Sequence, residues 1–362
     1  MDAGQIAITI IEFILALTLL AITHELGHFL TAKALGIPVE EFGIGIPPRA
    51  VKLFTWKGTL FSLNWIPFGA FVRPKGEEDP SIPDGLAAAK PWKRLIVLFG
   101  GPIFNLVIGI LLFSFVFLRT GGAPDISKVS IVATAESSPA AEAGIQAQDV
   151  FVSINGQDVH TSDEVSSLIR SNLGKELTIQ LSRSGEILTI KATPRTTWPE
   201  DQGPLGVSLG TPWIPTTNWF ETLPYSVNFA AEQARQLILL PGRLISGSAS
   251  SDSTRIIGPK GMYDIYAQAR TMDEEQTSAG DSQNAVNTIY LLANISVALG
   301  LTNLLPIPAL DGGRIIFVLP ELIIRKRIPV KYENMVHLVG LMALLALMLY
   351  ITTMDIVNPI VK

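Results

Sequence analysis

The chain of 362 residues has no cysteine. A disulfide framework and every thiolate metal site are thereby excluded, leaving His, Asp and Glu as candidate metal ligands. Charge is also scarce: Asp, Glu, Lys and Arg make up 16% against 48% hydrophobic residues. With a mean hydropathy of +0.38, the composition is too apolar for an ordinary soluble enzyme of this length. The formal net charge of -5 is carried without a long run of one sign, so no nucleic-acid footprint is present. Histidine occurs only four times, which makes the position of each one informative.

What is abundant is long apolar sequence. Four stretches, about 6–35, 95–118, 285–305 and 336–353, are long enough or nearly so to cross hydrocarbon as helices. The first carries Asp2 and no basic residue ahead of it, and no small-residue cleavage site after it, so it is expected to stay in the mature protein and not to act as a signal peptide. Basic residues cluster between the first and second stretches, from Lys33 to Arg94, and between the third and fourth, from Arg314 to Lys331. The positive-inside rule then puts both loops in the cytoplasm, and both termini and the region about 120–284 on the far side.

Within the first stretch lies His24-Glu25-Leu26-Gly27-His28. On a helix, residues four apart share a face, so the two imidazoles converge on one ion while Glu25 can hold a water against it. In a soluble chain this pattern can simply mark a solvated helix face. In an apolar span, ionisable groups are costly unless paired, hydrated or metal-bound. His160 falls in the far-side soluble region and His337 opens the fourth stretch, so a carboxylate is the better third ligand. Asp311 closes the run Asn303-Leu-Leu-Pro-Ile-Pro-Ala-Leu-Asp311-Gly at the end of the third stretch, at a depth similar to that of His24 and His28. Asp-Gly is also a turn pair, and Pro306 and Pro308 break a helix; both readings stand, because unwound backbone at membrane depth is tolerated where it lines a cavity or is buried in protein. Two His and one Asp leave a fourth position for water, the arrangement of a hydrolytic zinc centre with Glu25 as general base.

His24 to His28 in a first helix, Gly100-Gly101-Pro102-Ile103-Phe104-Asn105 opening a second and Asn303 to Gly312 in a third resemble the site-2 protease family of intramembrane zinc metalloproteases, in its bacterial RseP-like branch. The resemblance covers nearly the whole chain. It implies Zn2+ as cofactor, transmembrane proteins such as anti-sigma factors or remnant signal peptides as substrates, and residence in the bacterial cytoplasmic membrane with the active site toward the cytoplasm. It also implies that Asn303 binds substrate or steadies the tetrahedral intermediate and that Asn105 contributes to the active-site region. Gly101, Asn105 and Gly109 share a helix face, which is equally the small-residue pattern of helix packing.

Residues 42–74 read as strands with turns at Lys57-Gly58 and Pro67-Phe68-Gly69. Family members place a re-entrant hairpin-like sheet here with its edge against the substrate, which makes Gly69 a candidate substrate-binding residue; the other reading is a structural hairpin. From about 128 to 194 the pattern turns soluble, and Ser138 to Ile145, Asp149 to Gly156 and the alternating strands 177–181 and 187–192 resemble one bacterial PDZ domain. RseP-like enzymes with a tandem pair differ from this chain, where a single copy is found. A peptide or chain terminus is the implied ligand, with a scaffold role as the alternative. Residues 219–245 mix apolar and polar positions at helical spacing, interrupted by Pro224 and Pro241, as for a helix on the membrane surface or at a gate. Ser246 to Thr254 reads as a small-residue linker, and Ile257-Gly258-Pro259 as a turn ahead of the third span.

The expected fold is thus a polytopic α-helical membrane protein with four transmembrane helices. Residues 1–118 hold the first two helices and the β region (about 42–74), 126–211 the inserted α+β PDZ domain, 212–284 an amphipathic helix and linker, and 285–362 the last two helices. The expected partners are transmembrane substrates, the bilayer and a PDZ ligand, with no nucleic acid. Two other functions fit parts of the chain: a catalytically silent PDZ-bearing membrane scaffold, against which the intact ligand set and base stand, and a metal transporter, which should show inverted repeats or several broken helices.

Overall fold

The computed structural model describes residues 3–199, 202–245 and 257–359. The first helix, α1 (Ala3–Ala34), is apolar on nearly every side, and Ile6, Ile8, Leu15 and Leu19 leave their side chains exposed, as a lipid-facing helix does. It leads into β1 (Val39–Trp56) and β2 (Thr59–Pro74). The register shows that the two long strands fold twice. Residues of the first half of β1 pair on one side with the start of β2 (Glu41 with Leu60, Ile44 with Leu63) and on the other with its end (Phe42 with Val72, Ile44 with Ala70). The second half of β1 pairs with the start of β2 from outside (Val51 with Leu63, Trp56 with Thr59). The hairpin is therefore four strand segments deep, with residues 70–74 along one edge. Gly45, at φ +80, sits where a Cβ would strike the Ile66 carbonyl, so the fold-back needs a glycine there. Phe29 of α1 packs edge-on against Phe42 and Phe61, which joins helix and sheet in one apolar cluster with Ala32, Val39 and Val97. At the centre of the sheet, buried Glu41 accepts from Arg49, Arg73 and Ser62, so its charge is paired and bonded.

The helix α2 (Pro91–Arg119) crosses close to α1, because a Cβ on Gly27 or on Gly100 would overlap the backbone of the other helix. Farther along, Gly109 lies against Ala293 and Val297.

A second compact unit, Phe117–Phe229, contains β3 (Gly122–Pro124), β4 (Val129–Thr134), α3 (Pro139–Glu142), β5 (Val150–Ile154), β6 (Gln157–Asp158), α4 (Ser162–Arg170), β7 (Leu177–Arg183), β8 (Glu186–Ala192), β9 (Val207–Gly210) and β10 (Trp213–Pro215). Its main sheet runs β8-β7-β5-β4-β9, and β10 pairs with β3. Alternate residues of the strands and one face of α4 bury Ile131, Phe151, Ile154, Val165, Leu177, Ile179 and Leu181 in one core. The helix α4 opens with a complete capping box, Thr161 and Glu164 bonding each other's backbone, a signal present in the sequence but not read there.

The chain leaves this unit along α5 (Trp219–Ile245), which begins within it, and goes on to α6 (Pro259–Ser278), α7 (Asn287–Leu304), α8 (Asp311–Ile324) and α9 (Val330–Val357). Three differences from the sequence expectations stand out. The helix α5 runs through Pro224 and Pro241 without ending, since a single proline costs a hydrogen bond and bends a helix before it breaks one. Residues 259–278 and 311–324 are helices in their own right. Among the described residues, three helices, α1, α2 and α9, are long and apolar enough to cross a membrane; α7, the expected third span, has 18 residues. The expected linker at 246–254 lies outside the described residues. Gly258 caps α6, and buried Asp355 of α9 accepts from Gly258 and Gly261, so the free donors at the start of α6 are met by another helix.

Candidate metal centre

His24 and His28 sit one turn apart on α1 and turn both Nε2 atoms toward Oδ2 of Asp311, the first residue of α8. The break between α7 and α8, residues 305–310, is what brings that carboxylate in. Ala309 adopts φ +77, and its N–H donates to Nδ1 of His337 at 2.8 Å. The helix α8 is held from outside by Arg94 of α2, which donates to Glu321 at 2.7 Å, and by the ion pair of Arg314 with Glu77. Asp311 is thus placed by a helix with its own clamps, where the sequence suggested only the tail of a span.

The three facing atoms are separated by 3.2 Å (His24 to His28), 3.1 Å (His24 to Asp311) and 3.4 Å (His28 to Asp311). Ligand atoms on a tetrahedral zinc, bound at about 2.0–2.1 Å, stand about 3.3 Å from one another. The donor set therefore fits one zinc ion, and among the described residues it is the only such group of metal-binding side chains.

The backs of the rings agree. His28 Nδ1 lies 2.7 Å from the Val97 carbonyl, which accepts only if that nitrogen carries the proton; Nε2 is then a free lone pair. Nδ1 of His24 lies 3.3 Å from the side-chain amide of Asn105, whose other end is 3.0 Å from Thr23 Oγ1. Thr23 donates to the Leu20 carbonyl at 2.7 Å, so its hydroxyl has only lone pairs left to offer. The structure sets the Asn105 nitrogen toward His24 and its oxygen toward Thr23; with that hydroxyl spent on Leu20, turning the amide over, nitrogen toward Thr23 and oxygen toward a protonated His24 Nδ1, satisfies all three groups. Both imidazoles then present Nε2 to the ion. A Cβ on Gly101 would stand 2.7 Å from His24 Nε2 and closer still to His28 Nε2; glycine at 101 keeps the ligand space empty.

Glu25 enters the same cavity, of about 270 Å³, together with Phe71, Val72, Asn303 and Arg314. Its Oε2 accepts from the Val72 N–H at 2.9 Å. Asn303 lines the cavity, with its amide nitrogen donating to the Leu299 carbonyl at 2.9 Å. Asn105 and Gly69 do not line it: Asn105 stands behind His24, and Gly69, at φ +78, begins the bend into the edge segment of the sheet. His160 belongs to the second unit, where its N–H donates to Glu164. Thr23 and Val72 escape sequence reasoning, Gly101 enters it only as part of a motif and a packing face, and His337 only as the opening of a span. Of these, only the triplet Gly100-Gly101-Pro102 carried a signal, a helix made thin where another backbone or ring must approach.

Two histidines and an aspartate with a carboxylate beside them, the imidazoles on an apolar helix, fit the centre of a membrane metallohydrolase. The model of Peptidase family M50 matches residues 12–347, and the chain belongs to that family, the site-2 protease family of zinc metalloproteases. It is 33% identical over 354 residues to "Putative zinc metalloprotease CPE1693" of Clostridium perfringens, covering 97% of this chain and 99% of that one. Proteins of the same description from Clostridium acetobutylicum (31% identity; 97% and 98% covered) and Campylobacter jejuni (32%; 96% and 93%) are similar over comparable lengths. Zinc is the metal of these relatives.

Proposed function

We propose that this chain is an intramembrane endopeptidase that hydrolyses peptide bonds within or near the transmembrane segments of other membrane proteins. The observation that carries the reading is the ligand triangle of His24, His28 and Asp311 with Glu25 beside it, the imidazoles and the base being carried by a helix long and apolar enough to cross a membrane. Zinc, when bound there, supplies the Lewis acidity that activates water and polarises the scissile carbonyl. Glu25 takes the proton of the attacking water and passes it to the leaving amine. Asn303, on the cavity wall, is suited to hold the substrate carbonyl.

A peptide bond inside a helix is shielded by its own hydrogen bonds, so the substrate must be drawn out before it is cut. The edge segment 70–74 beside Glu25 supports strand addition as the means, with Gly69 giving the bend that sets the edge in place. Asn105 acts on the substrate only indirectly, through His24. The sheet and α4 of the second unit support a PDZ-like module whose ligand, a peptide or chain terminus, would lie along the cleft between Ile169 of α4 and Leu205-Gly206-Val207. With α7 counted as a fourth span, charge distribution puts that unit on the extracytoplasmic side of a bacterial cytoplasmic membrane and the metal centre toward the cytoplasm.

Glu25→Gln, compared with wild type on a model transmembrane substrate, tests the reading. The expected result is retained zinc with cleavage reduced at least about 100-fold. A scaffold would show neither cleavage in the wild type nor any effect of the substitution.

A further inference from the structure

The Val72 backbone does two jobs in one strand, and the alternation of the ladder says which groups are left for a substrate. Val72 pairs with Phe42 across the sheet, yet its N–H points to Glu25 and not to β1. In an antiparallel ladder the N–H and C=O of one residue point the same way, and those of its neighbours point the other way. Phe71 and Arg73, opposite Gly43 and Glu41, therefore spend their backbone groups on β1, while Ala70, Val72 and Pro74 turn theirs outward. Pro74 has no N–H. Of the two outward donors, the one on Val72 is held by the general base.

We propose that the Val72 N–H is a positioning donor for Glu25 and takes no part in binding substrate, so that a substrate strand bonds to the Ala70 N–H and C=O and to the Val72 C=O and has no donor left to bond beyond them. This rests on the proteolytic reading above and deepens it. Strand addition alone gives affinity without saying which bond is cut, because every residue of an extended chain offers the same backbone groups. Here the ladder ends where the base begins. The same strand that registers the substrate holds one oxygen of Glu25, Oε2, and leaves Oε1 for the water. The distance between the last paired substrate residue and the base is thereby set by one residue of backbone.

The test exploits the fact that proline is accepted at an edge position whose N–H lies outside the ladder. Val72→Pro removes the donor, and Val72→Ala keeps it. Measured against Val72→Ala, Val72→Pro is expected to lower kcat about 10- to 100-fold with KM and zinc content unchanged, the range of a disturbed general base. A raised KM with kcat retained would mean that the N–H serves the substrate, and an unchanged kcat would mean that it serves nothing; either overturns the proposal. A second measurement needs neither activity nor a folded proline variant. In Glu25→Ala, amide hydrogen exchange at Val72 should rise at least 10-fold, with Phe71 and Arg73, bonded within the sheet, unchanged. Equal exchange at Val72 in wild type and Glu25→Ala would overturn the assignment of the bond. Should wild type cleave no substrate while this exchange difference is seen, the proteolytic reading fails and the Val72 bond to Glu25 stands.

Discussion

The side-chain amide of Asn105 lies 3.3 Å from Nδ1 of His24, on the side of the ring opposite the other metal ligands. It is fixed there from both ends, by Thr23 through its side chain and by Ser296 of α7, which donates to the Asn105 carbonyl at 2.8 Å. Because outer partners set the tautomer and basicity of a metal-binding imidazole, Asn105→Ala is expected to weaken zinc binding about 10- to 100-fold. Asn105→Asp keeps an acceptor and should retain zinc more tightly than Asn105→Ala. Competition with a chelator of known affinity reads both.

Gly101 sets the free volume of the centre. Gly101→Ala puts a methyl group where the two Nε2 atoms face the ion, so zinc stoichiometry in the purified protein should fall well below one per chain. The helix itself should not suffer, because alanine is the better helix former by about 1 kcal/mol. Circular dichroism unchanged beside lost metal is the expected pair of results.

The second unit is expected to choose substrates and to leave the chemistry alone. Since β9 pairs with β4, a deletion that ended at 194 would strand β9, and the clean excision is 126–211. The variant should still cleave a generic transmembrane substrate at a rate within about 10-fold of wild type while its ranking of different substrates changes. Complete loss of hydrolysis in a variant that still binds zinc would contradict this.

Acid should loosen that unit through one pair. Burial of the Asp149 side chain would raise its pKa, but bonds from the Arg183 guanidinium and the Gln146 N–H outweigh it and hold the carboxyl below the ordinary carboxylate range. The folded state therefore binds this proton less readily than the unfolded one. The resulting stability is fully present above the ordinary carboxylate pKa of about 3.9 and is lost as pH falls through the depressed value. Hydrogen exchange of the β5 and β7 amides, followed from pH 6 to pH 3, should show protection declining at the acid end in wild type and a flatter profile in Asp149→Asn.

The parts of this molecule written in local spacing were legible in advance, and the parts made by distant contacts were not. His24, Glu25 and His28 announce themselves because four residues make one helical turn, and the strands at 177–192 because their apolar residues alternate. Asp311 could be matched to them through the run that begins at Asn303, but Asp-Gly-Gly reads as a turn, and nothing local says that a helix starts there. That helix depends on partners far along the chain, Arg94 and Glu77. The fourfold pleating of residues 39–74 is similarly hidden, since one strand that pairs with two halves of its neighbour has the same composition as a plain hairpin. The Val72 bond leaves no trace in side chains at all, because a backbone N–H is common to every residue but proline.

The stretch between α7 and α8 meets α8 and α9 at close quarters through three glycines. Side chains at Gly312 or Gly313 would run into the carbonyls of Leu304, Leu305 and Ile307, and one at Gly340 of α9 would run into Pro308. At these three positions the backbone of the break leaves no room for a methyl group. Glycine at 312, 313 and 340 thus keeps the break in the one course that brings the Asp311 carboxylate up to the imidazoles.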